Sequence, residues 1–370
     1  MRKRSMDYFI LIATLILVVF GLIMVFSATY YSSVTKNGDG YYYFKQQIFG
    51  AGLGIGLMLF VAFLPPEKLS ALLKKVKYLL VILSAVLLAL VFVPGIGVEV
   101  NGAARWIDLG FINLQPSEIA KFSIIIFVAA ICAANKEKMH TFRYGILGPC
   151  IIPALMCLII FFHPNFSAII CIALLTFVMI LVGGANGKHL GLIVAAGGAG
   201  GAALLFTKEY RVDRVMSFVD PWQYSSGEGY QVIQSLYAIG SGGFFGRGLG
   251  NSRQKLMYLP YGESDFIFSV IVEELGFLGA MILLGVFAFL VYRIIRVAVN
   301  APDMFGCLVC AGVATIIALQ VIINVAVVTS SIPATGVSMP FISYGSSALV
   351  VFLLMIGIVL NISRQTKAKV

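Results

Sequence analysis

Residues 265–296 read DFIFSVIVEELGFLGAMILLGVFAFLVYRIIR. From Phe266 to Val291 there is no basic residue, the only acids are Glu273 and Glu274, and the run closes on Arg293 and Arg296. A helix needs ~20 mostly apolar residues to cross the bilayer hydrocarbon, so this stretch predicts a transmembrane helix with a carboxylate at one edge and arginines at the other. Working outward, further runs of this kind fall at about 9–29, 46–64, 76–93, 118–134, 145–161, 164–183, 189–206, 303–327 and 343–362, with the span quoted above taken as 266–291. Of the 370 residues 60% are hydrophobic and 11% charged, whereas a soluble domain is about a quarter charged. So few charges cannot solvate a globular surface. The expected fold class is an all-α integral membrane protein, one domain over 1–370, with about ten transmembrane helices. A long extracytoplasmic loop at about 207–265 separates the seventh and eighth.

The net charge of +10 does not point to nucleic acid, because the basic residues sit in short clusters between apolar runs. With the N-terminus inside, the cytoplasmic segments hold Arg2, Lys3 and Arg4; Lys68, Lys74, Lys75 and Lys77; Lys136, Lys138 and Arg143; Lys188; Arg293 and Arg296; and Arg364, Lys367 and Lys369. The short outside loops hold only Lys36, Lys45 and Arg105. That asymmetry predicts both termini in the cytoplasm. The first run is too long for a typical signal-peptide core and reads as a retained helix. Tyr30, Tyr31 and Tyr41 to Tyr43 form an interfacial aromatic belt in this reading. No repeat of 20–50 residues marks a solenoid, and no inverted halves of the transporter kind are evident. All six cysteines lie in apolar runs, against a disulfide framework; the Cys307-x-x-Cys310 pair has no second pair nearby and reads as buried thiols.

Polar residues concentrate outside. The stretch 94–121, PGIGVEVNGAARWIDLGFINLQPSEIAK, places Arg105 before Trp106 and ends in Ser117, Glu118 and Lys121 at a helix start. Ser117 is a candidate N-cap. Glu118 and Lys121, three apart, share a helix face, either as a structural ion pair or as a functional one, since lipid exposure of an ionised group costs ~2.5–3.5 kcal/mol even on the gentlest scale. The loop 207–265 contains Arg211, a Gly-rich stretch at 240–250, then Arg253, Gln254 and Lys255, and finally Glu263, Ser264 and Asp265. The glycines are not a P-loop; they read as a flexible surface loop or as backbone for a large ligand head group. Asp265, before the apolar Phe266-Ile-Phe268, is either an N-cap or a desolvated carboxylate whose raised pKa suits a base. Glu273 and Glu274 require partners, and at least one of them is expected to pair with an arginine or with backbone groups. A third cluster, 331–347, carries Ser343 and Ser346 but no charge; Pro333 and Pro340 predict a re-entrant or kinked segment against protein or a cavity. Together these features describe an outward cavity with cationic walls, suited to a phosphate-bearing ligand with a lipid tail.

These motifs resemble the SEDS family (shape, elongation, division and sporulation), which includes RodA, FtsW and SpoVE. The resemblance runs from about residue 7 to 364 through NGAARWI (101–107), QPSEIAK (115–121), YQVIQSLYAIGSGGFFGRGLGNSRQK (230–255), YLPYGESDFIF (258–268), EELG (273–276) and PFISYGSS (340–347). The SRQK-x-x-YLP wording is closer to the division and sporulation branch. The resemblance implies a glycosyltransferase of the bacterial cell membrane that polymerises lipid II into peptidoglycan on the outer face. It also implies a class B penicillin-binding protein as transpeptidase partner, among other divisome proteins. It places the essential acid on Asp265, the conserved base of the fourth helix on Lys121, and the arginine of the second outside loop on Arg105. It further implies a divalent cation, Mg or Mn, for which no ligand cluster is evident, and no organic cofactor. The chain departs from the family at Asn165, where an acid is common; at Tyr261, where L-P-E is common, with Glu263 two positions later; at Ala104; and at Ala348.

On this reading Asp265 is the general base. Arg105, Ser117, Glu118, Lys121, Arg211, Arg253, Gln254, Lys255, Ser343 and Ser346 bind the lipid II head group or the growing undecaprenyl-diphosphate-linked glycan. Two other functions fit the same features: a lipid II flippase, which would need polar groups on the inner half as well, and a catalytically weakened scaffold for the transpeptidase.

Overall fold

The computed structural model describes residues 6–100, 103–108, 110–111, 113–162, 165–205, 216–225 and 227–366. Every predicted span falls on a helix: α1 (Tyr8–Asn37), α2 (Tyr42–Phe63), α3 (Pro66–Leu90), α4 (Pro116–Ala134), α5 (Gly148–Phe161), α6 (Phe166–Val182), α7 (Gly187–Leu205), α9 (Ile267–Val299), α10 (Met304–Val328) and α11 (Ser346–Ser363). Helix α8 (Glu228–Gly242) lies within the long loop. Among the described residues, seven helices are long and apolar enough to cross a membrane: α1, α2, α4, α9, α10, α11, and α5 taken with the π-turn Arg143–Leu147 before it. Helix α6 is apolar but 17 residues long, and α3 carries Lys74, Lys75 and Lys77. Exposed Phe277, Leu278, Met281, Ile282 and Phe289 on α9 present an apolar face of the kind a bilayer covers.

Segments predicted to lie inside meet at one end of the bundle. Asp7, whose side chain caps α1 through the amides of Phe9 and Ile10, accepts from Arg293 at 2.6 Å. Its own amide donates to Ser363 Oγ at 3.0 Å, and Lys74 pairs with Asp303 at 2.9 Å. The opposite end collects the loops predicted to lie outside. There the stretch after α3, read as plain loop, forms a three-stranded antiparallel sheet of β1 (Gly97–Val100), β2 (Ala103–Asp108) and β3 (Asn113–Leu114), bulged between Val98 and Glu99. Strand β3, two residues long, is too short to show a period.

Helix α9 is broken at Gly276 (φ 70°, ψ −173°). The break separates the carbonyls of Glu273 and Glu274 from the amides of Phe277 and Leu278, groups that an unbroken helix would pair. The Gly-rich turn satisfies all four. Arg247 N donates to Glu273 O and Gly248 N to Glu274 O, both at 2.9 Å; Phe277 N donates to Gly243 O at 2.9 Å and Leu278 N to Phe244 O at 3.1 Å. The turn can come this close because its glycines lack Cβ. A Cβ on Gly246 would lie 2.2 Å from Glu274 O, and one on Gly242 2.0 Å from Val272 O. The Gly-rich stretch is therefore an ordered turn and not a flexible loop. Its backbone supplies the partners that the broken helix lacks.

The segment between α10 and α11 has no helix from 329 to 345, as Pro333 and Pro340 predict, and it turns through left-handed Ser330, Phe341 and Gly345. Much of it is buried, and at Gly21 of α1 it approaches so closely that a Cβ would lie 2.2 Å from Phe341 O.

Candidate active site

Asp265 is half-buried in the turn leading into α9. The helix is capped at Phe266 with no side-chain hydrogen bond, so the N-cap reading of Asp265 falls away. The turn is clamped from several sides. Asn324 of α10, fully buried, donates through Nδ2 to the carbonyl of Asp265 at 2.8 Å and to that of Val337 at 2.7 Å. Ser343 Oγ donates to Ser264 O at 2.6 Å and accepts from Met339 N at 2.8 Å, and Tyr344 N donates to Glu263 O at 2.9 Å. Burial pushes the Asp265 carboxyl up to about 6 from an ordinary 3.8; the positive charge of Arg105 lowers it and Glu263 raises it. Arg105 is half-buried on β2, and the sheet is what carries it to the acid.

Lys121 and Glu118, both buried, form an ion pair at 2.5 Å on α4. Ser117 is not the cap; Gln115 is, with Pro116 as the first helical residue, where a missing amide costs nothing. The pair lines a small polar pocket with Gln115, Ser117, Asn165, Ser167, Ala168, Cys171, Gln320 and residues 336–338. Gly336 joins this pocket to the acid. Its amide donates to Ser167 Oγ at 3.1 Å, and a Cβ on it would stand 3.0 Å from Asp265 Oδ2. The structure thus brings Asp265, Arg105, Ser117, Glu118 and Lys121 to one region.

Among the other predicted ligands, Arg253 and Gln254 give backbone amides to the frame, and Lys255 and Ser343 give side chains. Glu273 accepts from Ser252 Oγ at 2.6 Å and from the amides of Arg253 at 3.0 Å and Gln254 at 3.3 Å, with Arg247 at 3.6 Å. This is the partnering with an arginine and backbone groups that the sequence predicts. Glu274 holds Lys255 Nζ at 2.8 Å and Ser27 Oγ at 2.8 Å. Lys255 is therefore committed to a buried carboxylate, and Ser343 braces the Asp265 turn. Ser346, at the start of α11, packs against Gly50. Arg211 lies outside the described residues. The sequence reading missed Gln320 and Asn324, two amides four apart in an otherwise apolar helix, a pattern that itself marks a bundle interior or cavity.

The donors present do not form a protein cage for a divalent cation. No group of three or more His, Cys, Asp or Glu occurs among the described residues, and Glu118 is already paired.

A family model described as "Cell cycle protein", of the FtsW, RodA and SpoVE proteins, matches residues 7–368. The chain belongs to this family. Among relatives of this FtsW/RodA/SpoVE chain, Stage V sporulation protein E of Bacillus subtilis (strain 168) is 39% identical over 99% of both chains. A probable peptidoglycan glycosyltransferase FtsW of Geobacter sp. (strain M18) is 37% identical over 99% of both. Among solved structures, a chain of a peptidoglycan synthase complex that coordinates polymerization and crosslinking aligns with TM-score 0.79 at 28% identity, covering 98% of each chain. The rod shape determining protein RodA of Thermus thermophilus aligns at 0.70 and 26%, covering 99% of each.

Proposed function

We propose that the chain polymerises lipid II into peptidoglycan glycan strands by inverting glycosyl transfer, as the glycosyltransferase names of its relatives imply. The observation that carries the assignment of chemistry is Asp265, a clamped carboxyl with a pKa of about 6 beside the Arg105 charge. Asp265 takes the proton of the acceptor sugar 4-hydroxyl as that oxygen attacks the anomeric carbon of the donor. The bond from that carbon to undecaprenyl diphosphate breaks, and its electron pair leaves on the phosphate. Arg105 offsets the charge that develops there. Lys121 contributes less to that task than its sequence position suggests, because Glu118 already balances it.

The site faces the outside of the bacterial cell membrane, with both termini in the cytoplasm, on the charge asymmetry of the loops. The partner is a class B penicillin-binding protein that crosslinks the strands, alongside other divisome proteins; the likeness to a complex that both polymerizes and crosslinks supports it. The test is polymerisation of lipid II by purified protein in detergent, with and without the transpeptidase. Wild type forms glycan and Asp265→Asn falls by ~10²–10⁴-fold, the usual contribution of base catalysis. Glycan formation by Asp265→Asn at the wild-type rate refutes the assignment. A flippase would form no glycan without a membrane to cross.

A further inference from the structure

The pocket beside Asp265 has a chemistry of its own. Its one cation, Lys121, is neutralised by Glu118 at 2.5 Å, and the rest of its polar lining is hydroxyls and amides. Such a lining does not suit a pyrophosphate, which would bring uncompensated negative charge against a buried carboxylate. It suits a neutral group that both donates and accepts hydrogen bonds. The cavity volume is about 20 Å³, far below the ~300–1,000 Å³ of pockets that enclose whole ligands. The pocket therefore admits no more than a small group, such as the tip of a substrate's side arm. Gln320 lines it at 1% exposure, and its Oε1 has no hydrogen-bond partner among the described residues. A buried polar atom without a partner costs about 1–3 kcal/mol and calls for a functional account. Two neighbouring groups are engaged: the Oδ1 of Asn165 caps α6 through Ala168 N at 3.2 Å, and Ser167 Oγ accepts from Gly336 N. Among the described pocket-lining side chains, Gln320 is the one with a fully buried oxygen that has no partner.

We propose that this pocket receives the acetamido arm on C2 of the donor sugar and that Gln320 is the residue that reads it. The inference rests on the glycosyltransferase reading and deepens it. A primary amide side chain matches a secondary amide ligand, offering a donor to its carbonyl and an acceptor to its N–H. C2 is bonded to the anomeric carbon, so an arm held here brings the reacting carbon to the mouth, where Gly336 adjoins Asp265 Oδ2. Gln320 is thus a specificity-determining residue, and the pyrophosphate is left to Arg105.

The experiment compares two synthetic lipid-linked disaccharide-peptide donors, one with the natural acetamido group on the phosphate-linked sugar and one with the free amine, using the full-length protein in detergent. Sites built to hydrogen-bond a group reject analogues lacking it strongly, so wild type is expected to prefer the acetamido donor by at least ~100-fold in kcat/KM. In Gln320→Leu the preference falls below about tenfold, chiefly through loss of rate on the natural donor. If Gln320→Leu does not fold, Gln320→Asn, which keeps the amide but draws it back by one methylene, is expected to lower the preference below about tenfold as well, and an unchanged preference in it overturns the inference. Polymerisation by wild type with no preference, or a preference unchanged in the variant, overturns this inference alone. A wild type that makes no glycan from the natural donor overturns the glycosyltransferase reading and this inference with it.

Discussion

Asn324 Nδ2, near the C-terminal end of the apolar helix α10, binds the carbonyl oxygen of Asp265 at 2.8 Å. With its second bond to Val337 O at 2.7 Å, one amide fixes both the turn that carries the acid and the segment that flanks it. Asn324→Leu leaves two carbonyls unpaired, at about 1–3 kcal/mol each. The expected result is a lower melting temperature together with a fall in kcat that exceeds any change in KM, because the acid loses its position rather than the substrate its contacts. Thermal unfolding in detergent and steady-state polymerisation check the two halves.

The raised pKa of Asp265 has opposite signs for activity and for stability. The base works only without its proton, so kcat/KM should rise with pH through about 6. Removing the Arg105 charge with Arg105→Gln should move that limb upward, because that charge holds the acid down. For folding, the native state binds the Asp265 proton more tightly than the unfolded chain does, so its cost is present above about 6 and disappears as pH falls toward 3.8. Asp265→Asn should therefore be inactive yet melt higher than wild type at neutral pH, with the difference closing near pH 4. An acid limb unchanged in Arg105→Gln would separate Arg105 from Asp265.

What could be read from the sequence follows the physics of each element. A membrane helix announces itself through ~20 apolar residues, so the spans were legible, but α1 and α9 run on to Asn37 and Val299 and α3 begins at Pro66, beyond the apolar runs; Asp265 stood out as a carboxylate against Phe266. The sheet that delivers Arg105 was not legible, because β3 is two residues long. Nor was the role of the Gly-rich stretch, because its partner is a break at Gly276 that a run reading EELGFLGA conceals. Lys255 looked like a phosphate ligand because nothing local reveals that Glu274, nineteen residues on, already holds it.

The break predicts a sharp contrast between glycines of one helix. Gly276 has φ 70°, and a Cβ there would meet Gly246 N at 2.3 Å; Gly285 has open space around it. Gly276→Ala should expel the 243–255 turn, free Glu273 and Glu274 from their partners and cost at least the ~1–3 kcal/mol of a strained backbone position. Gly285→Ala should be neutral or stabilise by about 0.5–1 kcal/mol. Limited proteolysis within 243–255, faster in the first variant only, reads the difference directly.

The Lys121–Glu118 pair allows stability and function to be separated. Glu118→Gln leaves a buried ammonium without its counter-charge, and Lys121→Met leaves a buried carboxylate; each should destabilise by about 3–5 kcal/mol. The double variant removes both charges, and apolar or neutral replacement of a buried pair is often close to neutral in stability, so it should recover most of the lost melting temperature. If the pair only holds α4 in place, activity returns with the fold. If it shapes the pocket that receives the donor sugar, the double variant is stable and still slow, with the loss in kcat/KM rather than in the amount of folded protein. The double-mutant cycle run on melting temperature and on polymerisation in parallel decides between them.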